Sequence, residues 1–196
     1  LYERIFANSK QYQSEMFSQK YCLIGEKLSH SLSKEIHSLL GGYAYTLREL
    51  KKDELGDFMR SPGFSCFNVT IPYKKAVIPY LKHLSPEALE TGAVNTVISR
   101  PDGLYGYNTD VAGVICTLGE YGIDPAGKKV CVTGSGGASA AVRSALKRLG
   151  AAEIVTLSRS GETRYEDTGR YLDSDILINA TPVGMYPSAG AMRNQL

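Results

Sequence analysis

A glycine-rich loop set between an apolar run and a helical pattern constrains this chain more than any other feature. Lys129–Thr133 reads as a buried strand. Gly134-Ser135-Gly136-Gly137-Ala138-Ser139 follows at once, and Ala138–Leu149 carries a helical pattern. A strand that turns into a helix through glycines brings bare backbone and the unpaired N–H groups of the helix start to one point. A pyrophosphate is favoured there. Gly134, Gly136 and Gly137 take the glycine positions, and Ser139 stands where a third small residue suffices. Further strands read at Glu153–Leu157 and Asp175–Asn179. Residues 123–196 are therefore expected to form a Rossmann-like dinucleotide-binding domain, incomplete at its end.

The second strand of that unit ends in Leu157-Ser158-Arg159-Ser160. A free ribose 2′-hydroxyl is usually met near this point by Asp or Glu, whereas a guanidinium flanked by hydroxyls suits a 2′-phosphate. Ser158, Arg159 and Ser160 thus favour NADP over NAD, and Arg164 could assist.

Upstream, strand and helix patterns alternate. Strands read at Tyr21–Gly25, Tyr43–Leu47, Phe64–Val69, Val94–Ser99 and Leu104–Tyr107, the last two around the turn Pro101-Asp102-Gly103. Helices read at Leu32–Leu40, Lys51–Met59, Lys74–Leu81, Pro86–Thr91 and Thr109–Tyr121. Alternation of this kind implies an α/β fold with a mainly parallel sheet covered on both faces. Asp124-Pro125-Ala126-Gly127 is a break, so the expected division is a substrate-binding domain over residues 21–122 followed by the dinucleotide domain. Residues 1–20 precede the first strand. Leu1, Ile5, Tyr12 and Met16 fall near one helical face there, as in a helical extension or linker.

Composition removes several classes of function. The net charge is +2, without a basic block, so nucleic acid is not implied. No apolar run is long enough to span a membrane as a helix, and no secretory signal is visible. Cys22, Cys66, Cys116 and Cys131 are dispersed, mostly in apolar strand patterns. They read as free thiols in a reducing cytoplasm, without zinc spacing. His30 and His37 stand two helical turns apart, but no acid or Cys completes a metal site at ligand spacing.

The chemistry concentrates where the strand Phe64–Val69 ends. Asn68-Val69-Thr70-Ile71-Pro72-Tyr73-Lys74 delivers Asn, Thr and Lys to one spot. Asn68, Thr70 and Asn95 offer neutral donors and acceptors suited to vicinal hydroxyls. Lys74 is a proton donor for reduction of a ketone, since hydride delivery to carbon requires a proton at oxygen. Asp110, in the first turn of a helix where an acid is favoured, would hold the ammonium in place. Ser31 and Ser33 lie two apart at the mouth of a helix and suit a carboxylate, although helix capping would explain them as well.

The Asn68–Lys74 run resembles the signature of shikimate dehydrogenases. Four further segments agree with that family in order: Ser29-His30-Ser31-Leu32-Ser33, Gly92-Ala93-Val94-Asn95-Thr96, Gly106-Tyr107-Asn108-Thr109-Asp110 and Asn179-Ala180-Thr181-Pro182-Val183-Gly184-Met185. The resemblance runs from about Tyr21 to Pro187. It implies NADP-dependent reduction of 3-dehydroshikimate to shikimate, with Lys74 and Asp110 as the paired catalytic groups. It also implies that Thr181, Gly184 and Met185 line the nicotinamide side. An NAD-using quinate/shikimate dehydrogenase and a nucleotide-binding module without turnover remain open alternatives. Lys27 and Lys34 replace prolines common in the family, and the stretch from Arg159 to Asp175 is short, so a helix common there is reduced or missing. The family's closing C-terminal helices have no counterpart before Leu196, and the chain reads as a fragment. Residues 1–17 resemble the last helix of a chorismate mutase, which implies a fused mutase domain upstream.

Overall fold

The computed structural model describes residues 20–41, 43–159, 161 and 163–184. The helical pattern expected over residues 1–17 lies outside them, as do Ser160 and Met185. The chain divides into two compact units, one running through Leu89 and from Ala93 to Asn108, the other comprising Glu90–Gly92 and the residues from Thr109 onward.

The first unit is built on a six-stranded sheet in the order β2-β1-β3-β5-β6-β4. Its strands are β1 (Tyr21–Gly25), β2 (Tyr45–Glu49), β3 (Cys66–Val69), β4 (His83–Leu84), β5 (Thr96–Arg100) and β6 (Gly103–Tyr107). β1 pairs in parallel with β2 and β3, and β4 with β6, whereas β5 runs antiparallel to both its neighbours. Helix α1 (Ser33–Leu40) joins β1 to β2, and α2 (Leu55–Arg60) joins β2 to β3. Helix α3 (Pro86–Thr91) follows β4 and spans the division between units. Strand alternation decides the core. Cys22, Ile24, Phe67, Val69 and Val97 share one face and pack with Leu55, Met59, Tyr73, Val77 and Ala88. On the other face Leu23 and Tyr45 pack with Leu28.

Lys74–Leu81, expected as a helix, is turn structure ending in a 3₁₀ helix at Ile78–Tyr80. Pro79 is the reason. It has no N–H to bond back along an α-helix. After one four-residue bond, Val77 N–H to Tyr73 C=O at 3.1 Å, the segment closes through three-residue steps, Ile78 N–H to Lys75 C=O at 3.2 Å and Tyr80 N–H to Val77 C=O at 3.0 Å.

The second unit carries a three-stranded parallel sheet, β8-β7-β9, made of β7 (Lys129–Thr133), β8 (Glu153–Leu157) and β9 (Ile176–Asn179). Helices α4 (Asp110–Glu120) and α5 (Gly137–Arg148) belong with it. Leu118, Val142 and Leu146 pack on Val130 and Val132, and Val111 packs on Ala141 and Ala145. By these contacts α4, which precedes the division expected near residue 122, groups with the second unit. The continuous part of that unit runs from Thr109, because the apolar side of α4 is buried against α5. Between Arg159 and Asp175 stands a 3₁₀ helix, Tyr165–Tyr171.

Candidate functional site

The polar residues singled out in the sequence gather where β1 and β3 end and antiparallel β5 begins. Asn68 lies in β3 and Thr70 just beyond it, while Asn95 immediately precedes β5. Backbone bonds seal this rim, Val69 N–H to Asn95 C=O at 2.8 Å and Thr70 N–H to Ile24 C=O at 3.0 Å. The Asn68 side chain is held at both ends. Its Oδ1 accepts from the Tyr45 hydroxyl at 2.7 Å, and its Nδ2 donates to Thr96 Oγ1 at 3.1 Å. Thr96 Oγ1 in turn donates to Asn95 Oδ1 at 3.1 Å. At the end of β1 the backbone crowds the same rim: a Cβ on Gly25 would stand 2.7 Å from Thr70 Cγ2.

Ser31 and Ser33 sit at the entrance to α1, after β1. Ser31 Oγ donates to Ser33 Oγ at 3.1 Å and accepts from the Ser33 N–H at 3.2 Å. Leu32 occupies the cap position and makes no side-chain cap bond. Ser31 thus covers one of the unpaired N–H groups of the helix start, and both hydroxyls stay clustered there.

Lys74 is half-buried in the turn that follows β3, with its carbonyl accepting from Val94 N–H at 2.8 Å. Asp110 is the first residue of α4, in the second unit. Asn108, from the same motif, is buried and donates through Nδ2 to the Ala93 carbonyl at 2.9 Å, which braces the chain beside Asn95.

In the second unit the glycine loop runs from β7 into α5. Gly134 has φ +99°, and a Cβ there would lie 2.9 Å from the Ala180 carbonyl oxygen, so only glycine fits against the end of β9. Over Gly136 and Gly137 a Cβ would meet nothing within 4 Å. This is open space above a helix start, with Gly136 as its cap residue. Ser139 is fully buried in the first turn of α5. The residues present therefore fit a dinucleotide pyrophosphate: bare backbone, a helix N-terminus and no side chain in the way. At the end of β8 Arg159 is exposed. The buried Ser158 hydroxyl beside it has no hydrogen-bond partner among the described residues. Arg164 is exposed at the start of the 3₁₀ helix. Thr181 and Gly184 follow β9. The turn they form is organised by Asn179, whose Oδ1 accepts from Thr181 N–H at 3.0 Å, Thr181 Oγ1 at 2.6 Å and Thr133 Oγ1 at 3.1 Å.

Three residues that the sequence did not single out for the site take part in it. Tyr45 and Thr96 fix Asn68, and Asn179 fixes Thr181. Thr96 and Asn179 lie inside motifs already quoted. Tyr45 carries no local signal, because its contact spans 23 residues. His37, weighed above only as a metal ligand, instead stacks flat on Tyr45 with ring centroids 3.7 Å apart and shares a 2.6 Å hydrogen bond between Nδ1 and the Tyr43 hydroxyl. Burial lowers its pKa below the ordinary value. A broad open depression lined by Arg60, Phe64, Ser65 and Arg100 lies at the opposite end of the strands and holds none of these groups.

Residues 23–97 match the family described as the shikimate dehydrogenase substrate binding domain. The shikimate dehydrogenase (NADP(+)) of Clostridium beijerinckii is 40% identical over 186 residues, covering 85% of this chain and 69% of its own length. A chorismate mutase/shikimate 5-dehydrogenase fusion protein from Clostridium acetobutylicum superposes with a TM-score of 0.80 at 36% identity, over 88% of this chain and 69% of that one. Shikimate 5-dehydrogenase from Thermus thermophilus, solved with NADP(H) and shikimate, gives 0.73 at 30% identity, over 85% of this chain and 69% of that one. The chain thus spans about two thirds of the length of these relatives. On the level of identity and the span it covers, the chain belongs to the shikimate dehydrogenase family.

Proposed function

We propose that this chain carries the NADP-dependent reduction of 3-dehydroshikimate to shikimate. The observation that supports it most is the hydrogen-bonded rim of Asn68, Thr96 and Asn95, with the paired hydroxyls of Ser31 and Ser33 in the same unit. Neutral carboxamides and hydroxyls held in fixed orientation match a ring bearing vicinal hydroxyls. Two serine hydroxyls at a helix entrance match its carboxylate. The polar groups divide the work. Asn68, Thr70 and Asn95 hold the ring hydroxyls, and Ser31 with Ser33 holds the carboxylate. Lys74 gives a proton to the carbonyl oxygen as that oxygen becomes a hydroxyl. Asp110 takes the role of the acid that the family resemblance pairs with this lysine.

The backbone of Gly134–Ala138, with Ser135 at its exposed tip, would hold the pyrophosphate of NADPH. Ser158, Arg159 and Ser160 would hold the 2′-phosphate, and Thr181, Gly184 and Met185 would flank the nicotinamide. When bound, NADPH supplies the hydride. A reductive biosynthetic step and four unpaired cysteines are consistent with a cytoplasmic protein. Among the described residues no helix is long and apolar enough to cross a membrane. The likeness to the Clostridium acetobutylicum fusion supports a chorismate mutase domain joined to this one.

Mixing the chain with NADPH and 3-dehydroshikimate and following NADPH consumption tests the proposal. Consumption that depends on both is the expected result. Binding of both without consumption would reassign the chain as a binding module, and binding of neither would overturn the reading.

A further inference from the structure

Tyr45 is buried to 6% exposure in β2, yet its hydroxyl reaches across β1 to Asn68 in β3. Its ring is pinned by the parallel stack with His37 in α1, at 3.7 Å and an interplanar angle of 6°. His37 is tied by its own hydrogen bond to Tyr43, whose ring meets Tyr21 edge-on at 5.0 Å. From Tyr45 the hydrogen bonds run one way: phenol to Asn68 Oδ1, Asn68 Nδ2 to Thr96 Oγ1, Thr96 hydroxyl to Asn95 Oδ1. A carboxamide has chemically different ends of nearly equal shape, so something must decide which end donates. In this chain Asn68 is fixed from both sides: Nδ2 also faces the Asn95 backbone carbonyl at 3.4 Å, which can only accept, and the Tyr45 phenol secures the other end by donating to Oδ1. Burial pushes the Tyr45 phenol above its ordinary pKa.

Given that Asn68 is a substrate ligand as proposed above, we propose that Tyr45, held by His37, is a positioning residue that sets the orientation of the Asn68 carboxamide, and through Thr96 that of Asn95, for the substrate hydroxyls. Tyr45 touches no substrate in this role. It selects for hydroxyls that present a donor or an acceptor in the matching order.

Tyr45→Phe removes the hydroxyl and keeps the ring stack, so the fold is expected to stand. Calorimetric titration with shikimate should show a roughly five- to ten-fold weaker Kd, the effect of one lost hydrogen bond, with the NADP⁺ Kd unchanged. In an Asn68→Ala background Tyr45→Phe should add nothing further to the shikimate Kd, which a merely structural role would not produce. The side-chain amide signals of Asn68 in ¹⁵N spectra of the unliganded chain give a second readout and should shift in Tyr45→Phe. Unshifted Asn68 signals, or a normal shikimate Kd in Tyr45→Phe where Asn68→Ala weakens binding, would overturn the positioning role. A normal Kd in Asn68→Ala would instead overturn the substrate reading of Asn68 itself.

Discussion

At the residue scale the proposed site assigns some groups to holding and others to reaction, and each assignment can be tested. Arg159 stands exposed at the end of β8 with the buried Ser158 hydroxyl beside it. Arg159→Ala should weaken NADPH by about 1–3 kcal/mol, the worth of a charge-assisted contact, and leave NADH nearly untouched. Equal losses for both cofactors in fluorescence titrations would remove the 2′-phosphate role. Lys74→Ala should lower kcat by roughly 10²–10⁴ while NADPH affinity holds; a near-normal kcat would exclude Lys74 as the proton donor. His37 offers a stability test. Its pKa is lowered in the fold by burial from an ordinary 6.5, so the unfolded chain takes up the proton first as pH falls. Its contribution is therefore complete above about pH 6.5 and is lost as pH drops from there towards the lower folded value. His37→Gln should flatten the decline of Tm between pH 7 and 5 by that share (roughly the window set by the imidazole pKa), and an unchanged slope would show that His37 is not responsible.

At the scale of elements the glycine loop shows how much one backbone position can demand. Gly134→Ala forces a side chain into φ +99° and against the Ala180 carbonyl at 2.9 Å. It should cost roughly 1–3 kcal/mol of stability and lose cofactor binding with it. Gly136→Ala meets no neighbour within 4 Å and keeps φ −80°. It should spare Tm and weaken only the cofactor. If both variants melt alike, the crowding at Gly134 is not the cause. The elements themselves were largely legible, since β1, β3, β7, β8 and β9 are short apolar runs and the loop between β7 and α5 is marked by its glycines. The failures have local causes. A helix pattern over Lys74–Leu81 yields to Pro79, and β4, only two residues long, leaves too little pattern to find. The candidate site was legible as a cluster where its residues sit in compact motifs, as Asn68 and Thr70 do on one rim. Tyr45 and His37 escaped because their part in it depends on the crossing of β1, which no spacing along the chain reveals.

At the scale of the molecule each unit has its own core, one around Phe67, Val69 and Tyr73, the other around Val130, Val132 and Leu146. α4 reads as amphipathic from sequence, and its partner across Val111 becomes visible only in the fold. Leu146→Ala empties a fully buried position and should cost about 2–5 kcal/mol. Faster amide exchange should appear in β7, β8 and α5, with β1 and β3 keeping their protection. Loss of protection in both units together would show that they unfold as one.

The antiparallel course of β5 has a further consequence, for insertions and deletions. β5 starts at the rim that carries Asn95 and Thr96 and ends in the Pro101-Asp102 turn at the other end of the strands. A residue added in that turn extends a hairpin tip and leaves the pairing of Thr96 with Asn68 untouched. A residue added between Gly92 and Asn95 falls in a tightly packed approach to the strand. It displaces Val94, which is fully buried and whose N–H donates to the Lys74 carbonyl, and so disturbs the chain that leads into Asn95. Length variation in this family should therefore be tolerated at one end of a five-residue strand and forbidden at the other.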